Sequence, residues 1–352
     1  MHRPDRSPGQ RYRFEQYLED LRGSGVQCTV SWLLSEEDDR IFYGPGNVLR
    51  KASIVLRSIM RRRREIRQLE EYDAVFIFRE ALMTGQTFFE KAVARSKARM
   101  ILDFDDAIWL PDTSANNRMF RFLKRPSKTR ELCAMADLVI TGNSYLADFA
   151  KAYNPNVTII PTTIDLAQYH SSISNYDRTP VVIGWTGSPT TIRHFRMAEA
   201  VLSRIRRKYG NALQFKVIGD ATYRNDELGI TGIRWSAERE VEELKGIDIG
   251  IMPLPDDDWS RGKCACKGLQ YMALGIPAVM SAVGTNNDVI CSGENGILVS
   301  DDEALFQALC TLIDSPELRR QYGQAGRKTV EERYSRQAWS ARYVAALQGV
   351  LG

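Results

Sequence analysis

The chain of 352 residues has little of what marks many familiar classes of protein. It has only three histidines, His2, His170 and His194, and none lies beside a nucleophile elbow, which argues against Ser-His-Asp and Cys-His hydrolases. Six cysteines (Cys28, Cys133, Cys264, Cys266, Cys291 and Cys310) are too sparse for a disulfide framework. They include no C-x-x-C pair, so neither a zinc ribbon nor a thioredoxin-type site is expected. No G-x-G-x-x-G follows an expected strand, which disfavours a dinucleotide-dependent oxidoreductase. Apolar runs such as 246–255 and 276–283 stop after about ten residues, where a membrane-spanning helix needs about twenty. The opening MHRPDRSPGQ has no apolar signal-peptide core. What remains is a soluble, reduced, cytoplasmic protein, long enough for two domains of about 150–180 residues each.

Charge of one sign is also lacking. The 48 basic and 44 acidic residues leave a net charge of +4, too balanced for a general nucleic-acid binder. The basic surplus falls in two clusters of the first half. One is Lys51, Arg57, Arg61, Arg62, Arg63, Arg64 and Arg67; the other is Arg118, Arg121, Lys124, Arg125, Lys128 and Arg130. Each reads either as a solvated helix face or as a surface for anionic lipid or a phosphorylated acceptor. The second reading implies peripheral contact with an anionic membrane at its inner face.

Short β-rich runs alternate with helical stretches throughout. The first series of expected strands is 26–32, 74–78, 100–104, 138–141 and 157–161. A second follows the apolar-poor stretch 171–180, at 181–186, 214–219, 233–235, 248–254, 278–281 and 296–299. Helices are expected between them, among others at 13–22, 88–95, 128–135, 193–209, 238–244 and 265–274. Such alternation in both halves predicts an α/β protein of two doubly wound parallel sheets, whose default ligand site lies beyond the carboxyl ends of the strands, in a central cleft. The expected divisions are 1–172, 178–334 and a terminal helix at 335–352. The first domain opens on the loop-like RSPGQRYRF, where a hydrophobic strand would ordinarily stand, so its first strand is expected to be missing.

Chemistry concentrates in residues 246–299. A strand is followed there by a polar loop with Lys263 and Lys267, a helix, the turn Gly275-Ile276-Pro277, another strand, and Gly284-Thr285-Asn286-Asn287. A loop ending at a helix N-terminus, with two ammonium groups beside it, suits a phosphate; Gly284 suits a close backbone approach. Taken singly, the lysines also read as solvated and the turn as a plain helix stop.

The run Gln270-Tyr271-Met272-Ala273-Leu274-Gly275-Ile276-Pro277-Ala278-Val279 resembles the donor-binding half of GT-B glycosyltransferases, in particular glycosyltransferase family four (group 1). Gly184-Trp185-Thr186-Gly187-Ser188 resembles the loop opening that family's second domain, and Pro161-Thr162-Thr163-Ile164-Asp165 its linker entry. Tyr334-Ser335 and the helix after them resemble its terminal element, which crosses back to the first domain. The resemblance implies two Rossmann-like domains facing a cleft. It also implies retaining transfer of a hexose-type sugar from a nucleotide diphosphate sugar to a hydroxyl acceptor, saccharide or lipid-linked, in cell-surface polysaccharide or glycolipid assembly. Neither metal nor cofactor is required in that scheme.

The departures are specific. Of the family's two glutamates eight positions apart, the second aligns with Gln270 and the first with Gly262, leaving Asp256, Asp257 or Asp258 to take over its contact with the sugar. The resemblance assigns donor binding to Gly187, Ser188, Lys263, Lys267, Gln270, Gly284, Thr285 and Asn286, with the N–H groups of Gly187 and Ser188 helping the lysines neutralise the diphosphate. In ILDFDDAIW, Asp103, Asp105 and Asp106 form a D-x-D string that invites a metal reading. The resemblance instead sets Asp105 and Asp106 at the sugar or the acceptor hydroxyl, catalytic with Lys267, and leaves the metal site empty of candidates; a helix cap is the plainer alternative. Arg11, Tyr12 and Arg13 either bind an acceptor phosphate from the first loop or merely start the first helix. His194 is expected on a helix surface, and Trp235 either stacks on a base beside Arg234 or fills core. A degenerate nucleotide-sugar-binding or scaffolding protein, and a sugar-nucleotide epimerase of the same fold, are the alternatives.

Overall fold

The computed structural model describes residues 2–110, 125, 127–170 and 176–351. Arg118, Arg121 and Lys124 of the second basic cluster, and residues 171–175 of the expected linker, lie outside them. The chain divides into two compact units, residues 1–161 with 340–352 and residues 162–339.

The first unit holds a parallel sheet in the order β1-β2-β3-β4: β1 (Ala74–Phe78), β2 (Arg99–Phe104), β3 (Leu138–Thr141) and β4 (Val157–Ile159). Met100, Leu102, Phe104, Val139 and Ile140 are buried, and the run of apolar residues on both faces of β2 is what a covered parallel strand requires. Two expectations fail here. RSPGQRYRF is not a loop: Pro8 opens a helix, Pro8–Arg13, in the first turn, where its missing N–H costs nothing. Residues 26–32 form no strand; Ser31 is hydrogen-bonded to Glu65 and Trp32 lies under Arg61, so side chains hold the segment where a ladder was expected.

Arg11, Tyr12 and Arg13 are therefore buried on that first helix, not displayed on a loop. Arg13 enters the core. Its guanidinium forks onto Asp103 at the end of β2, with Nε donating to Oδ2 at 3.1 Å and Nη2 to Oδ1, while Nη1 donates to the carbonyl of Ile160. Arg11 folds over Tyr12, 4.7 Å from its ring centre, and donates to its hydroxyl.

The second unit holds five parallel strands in the order β11-β10-β9-β5-β6: β5 (Val181–Thr186), β6 (Leu213–Ile218), β9 (Ile249–Met252), β10 (Ala278–Ser281) and β11 (Ile297–Val299), with a small antiparallel pair, β7 (Arg224–Asn225) and β8 (Ile230–Thr231). The order runs outward from β5 in both directions, which is the switch in winding that places a crevice at the carboxyl ends of central strands. Residues 233–235 contribute only a bridge from Ile233 to Ile218, and the helix expected over 193–209 is broken at Ala198 into Ile192–Met197 and Glu199–Tyr209. The helix Arg336–Leu351 begins where Ile164 bridges Ser335 and Asp165 binds Arg336 and Gln337; its later residues belong to the first unit, with Tyr343 stacked on Tyr17 at 4.0 Å. All six cysteines are free thiols.

Because Arg13 and Asp103 are both out of water, removing one leaves the other's charge stranded. Arg13→Met is expected to destabilise the first unit by about 3–5 kcal/mol, and Arg13→Met with Asp103→Leu by clearly less. Urea unfolding followed in both variants checks this.

Candidate functional site

Three adjacent strands, β10, β9 and β5, end at the same edge of the second sheet, and the loops that follow them gather the cationic residues. After β5 the loop turns through Gly187 and Ser188 into the helix Ile192–Met197, which holds His194. After β9 the short helix Asp258–Arg261 leads to Lys263, and Ala265, in the left-handed region at φ 53°, opens the helix Cys266–Ala273 with no side-chain cap. After β10 comes Gly284, at φ 53°; a Cβ there would lie 2.8 Å from the carbonyl oxygen of Arg261, so this residue must be glycine for the two loops to touch. Tyr271 ties the ends together, its hydroxyl accepting from the Thr186 N–H at 2.9 Å and facing the Ile251 carbonyl at 3.4 Å.

Lys263 and Lys267 are half-buried. Lys263 Nζ lies 5.4 Å from the Trp259 ring centre and Lys267 Nζ 5.7 Å from that of Trp185, contacts by which apolar walls can hold an ammonium group. His194 is not on the surface as expected but 3% exposed, on the buried face of its helix with Ile192 and Phe195. Its Nε2 receives a long contact from Arg193 Nε at 3.4 Å, and Nδ1 has no hydrogen-bond partner among the described residues. Burial, then the charges of Lys263, Lys267 and Arg193, push its pKa down to about 4, and Asp257 opposes them. Burial foremost, reinforced by these charges, thus keeps the imidazole neutral at pH 7, and the cationic groups around it suit an anion.

Other expected residues are differently employed. The Gly187 N–H donates to the Ile218 carbonyl and the Ser188 N–H to Thr191 Oγ1, both at 2.9 Å, so neither backbone donor is held ready for a phosphate. Gly187 is required instead by packing, since a Cβ would collide with Trp185. Asn286 turns its amide onto the Ser281 carbonyl at 2.9 Å, and Thr285, with Gly284, starts the short helix that follows. Asp257 caps the helix Asp258–Arg261 through the Ser260 N–H, while Asp256 and Asp258 pair with Arg261.

Gln270 belongs to a buried chain of polar groups that sequence reasoning missed. Its Nε2 donates to the Tyr169 hydroxyl at 2.9 Å, Tyr169 donates to Glu240 Oε2 at 3.1 Å, and Trp235 Nε1 donates to Glu240 Oε1 at 2.7 Å. Trp235 is therefore anchored by its indole. With Nε2 donating to Tyr169, the Gln270 amide presents Oε1 as an acceptor group, as a carboxylate oxygen would be. Nothing in the sequence separates Glu240 from its neighbours Glu238, Glu242 and Glu243; only burial does.

In the first unit, Asp105 and Asp106 are brought together by Arg79, whose Nε donates to Asp105 Oδ1 at 2.8 Å and Nη2 to Asp106 Oδ2 at 2.6 Å. Arg79 stands at φ 60°, a strained position for a non-glycine residue, one step beyond β1 and beside the end of β2. Its place at a strand end was the signal available in the sequence. Asp103, by contrast, is wholly taken up by Arg13. Among the described residues no three His, Cys, Asp or Glu side chains gather as a metal ion would need.

Residues 180–315 match the model of the glycosyl transferases group 1 family. No curated protein matches the sequence. Several solved structures share the fold. Sucrose-phosphate synthase from Thermosynechococcus elongatus is 14% identical, covers 98% of this chain and 94% of its own, and has a TM-score of 0.70. HepE of Anabaena, solved with UDP and glucose, is 16% identical over 95% of this chain and 89% of its own, at 0.62. A glycosyltransferase from Rickettsia africae is 11% identical over 95% and 87%, at 0.59. At these identities the likeness is one of fold: the chain has the α/β, Rossmann-like units of the GT-B glycosyltransferases.

Two outcomes follow from this geometry. The folded-state pKa of His194 lies below the unfolded value of 6.5, so its contribution is intact above about pH 6.5 and is lost as pH falls toward about 4. Wild-type stability should drop across that window by roughly 2 kcal/mol more than that of His194→Gln, measured by urea unfolding at each pH. In the polar chain, Glu240→Gln and Gln270→Glu should each cost about 1–3 kcal/mol, while the exchanged pair, which reverses the two donations through the Tyr169 hydroxyl and leaves an amide oxygen to accept from Trp235, should recover most of the loss in a double-mutant cycle.

Proposed function

We propose that the chain transfers a sugar from a nucleotide diphosphate sugar to a hydroxyl acceptor, with retention at the anomeric carbon and no metal ion. The observation that supports this most is the pair of half-buried lysines around a buried, neutral histidine at the strand ends of the segment matching the family model. Breaking the glycosidic bond develops oxocarbenium character on the sugar and negative charge on the departing diphosphate. Lys263, Lys267 and the N-terminus of the helix Cys266–Ala273 would stabilise that growing charge more than the ground state, which is what accelerates the reaction. The imidazole of His194, with its Nδ1 unsatisfied, would complete the anion's hydrogen bonding.

Gln270 would accept a hydrogen bond from a ribose hydroxyl of the donor through Oε1. Asp105 and Asp106, brought together and oriented by Arg79, would receive hydroxyl donors of the sugar or of the acceptor, while the departing phosphate takes the acceptor's proton. In this reading the donor is a hexose-type nucleotide sugar and the acceptor a saccharide or a lipid-linked saccharide, as in polysaccharide or glycolipid assembly; HepE, solved with UDP-glucose, is one fold relative with such a donor.

A second reading, a protein that binds the nucleotide sugar without turning it over, is favoured by one fact. Asp256, Asp257 and Asp258, the carboxylates available to replace the first glutamate of the family's pair, are engaged in capping and ion pairs.

One panel separates the two. Incubation with UDP-, GDP- and dTDP-sugars and a saccharide acceptor should yield free nucleotide and glycosylated product, and Lys267→Ala should slow transfer by two or more orders of magnitude, about 3 kcal/mol. Thermal stabilisation by nucleotides with no turnover of any donor would leave the binding protein, and near-normal turnover by the variant would remove Lys267 from the site.

A further inference from the structure

We propose that the outer face of the helix Val48–Glu65 is a docking surface for an anionic phospholipid bilayer. Nine large apolar side chains are exposed among the described residues, and five of them, Trp32, Val48, Leu49, Leu56 and Met60, lie on this helix or the segment beside it. Exposed apolar residues scattered singly are ordinary; gathered on one element they mark an interaction site. Leu49 is 87% exposed and Leu56 57%.

The arrangement on the helix is ordered. At about 100° per residue, Leu49, Leu56 and Met60 fall within roughly 40° of one another, forming one outward stripe. Arg50, Arg57 and Arg64 follow along one flank of that stripe at the same spacing, and Arg63 stands on the other. The opposite face is buried through Ile54 and Ser58, and it also takes in Lys51 and Arg62, which bond to the carbonyls of Gly44 and Ala81. Two of the seven cationic residues that make the sequence cluster therefore face the protein interior. The outward ones remain strongly positive. No acidic residue occurs between Val48 and Arg64, and Arg50, Arg63, Arg64 and Arg67 form no ion pair with any described residue. Arg57 is paired with Asp38, and Arg61 and Arg62 with Glu65.

An apolar stripe flanked by arginines fits a helix lying in the bilayer interface, where leucine and methionine enter the acyl boundary and guanidinium groups meet lipid phosphates. Nucleic acid would satisfy the arginines and leave the stripe in water. A second copy docked face to face would bring the same arginines against each other, because a two-fold contact presents one patch to itself. Among the described residues no helix is long and apolar enough to cross a membrane, so the contact is with the surface.

The full chain, without nucleotide or acceptor, is mixed with phosphatidylglycerol-rich vesicles or with pure phosphatidylcholine vesicles and sedimented. The wild type should bind the anionic vesicles and be released by salt, with binding to the neutral ones at least about tenfold weaker. Leu49→Ser with Leu56→Ser and Met60→Ser should lower partitioning about tenfold or more, since each removes apolar contact with the acyl boundary. Arg50→Gln with Arg64→Gln and Arg67→Gln should lower it about 100-fold, at about fivefold per arginine. Unchanged circular dichroism and unfolding temperature show that both variants are folded. Failure of the wild type to bind anionic vesicles, or equal binding by folded variants, overturns the proposal. So does a wild-type dimer that the serine variant dissociates and vesicles leave intact. Because no nucleotide is present, none of these results bears on sugar transfer.

Discussion

The crowding of positive charge at one edge of the second sheet is the constraint around which the other features arrange themselves. Two ammonium groups and a guanidinium act on a histidine that is almost wholly buried, and burial together with those charges keeps its imidazole neutral. Like charges brought together out of water are costly unless something negative completes them. A folded chain that holds such an arrangement in its second unit, with Asp257 opposing it, is suited to an anion. This is why the proposed reading begins with the diphosphate of a sugar donor and not with the sugar or the base.

Holding the charges in place is the task of apolar and hydrogen-bonding groups that never face the ligand in this account. Trp185 and Trp259 lie beneath the lysines, Tyr271 links the helix Cys266–Ala273 to β5 and β9, and Gly284 lets the loop after β10 close on Arg261. The Gln270–Tyr169–Glu240–Trp235 chain does the same for the buried Gln270 amide. In the first unit Arg13 and Arg79 show the same use of a guanidinium as a fork, one sealing the core against Asp103, the other gathering Asp105 and Asp106.

Much of this was legible in the sequence where local chemistry decides it. The strands at 74–78, 138–141, 181–186 and 278–281 are the residues whose β-branched and apolar runs predicted them, and Lys263 and Lys267 stand together at a helix start as their spacing implied. The errors arise where tertiary packing outweighs local pattern. Pro8 starts a helix within a stretch that reads as loop, residues 26–32 are held by side chains without a ladder, and His194 lies with Ile192 and Phe195 on the buried face of its helix. The donors expected at Gly187 and Ser188 are engaged by Ile218 and Thr191, long-range and local partners that spacing along the chain does not disclose. Glu240 was invisible for the same reason: four glutamates stand within six residues, and only the fold buries this one against Tyr169 and Trp235.

The most direct test is the titration of His194 followed by nuclear magnetic resonance of its ring, with and without inorganic pyrophosphate or a nucleoside diphosphate. The account predicts a pKa near the low value of about 4 in the free protein and a marked rise when the anion binds, as its charge offsets that of the lysines. A nucleotide that binds while the His194 titration stays where it was would contradict it.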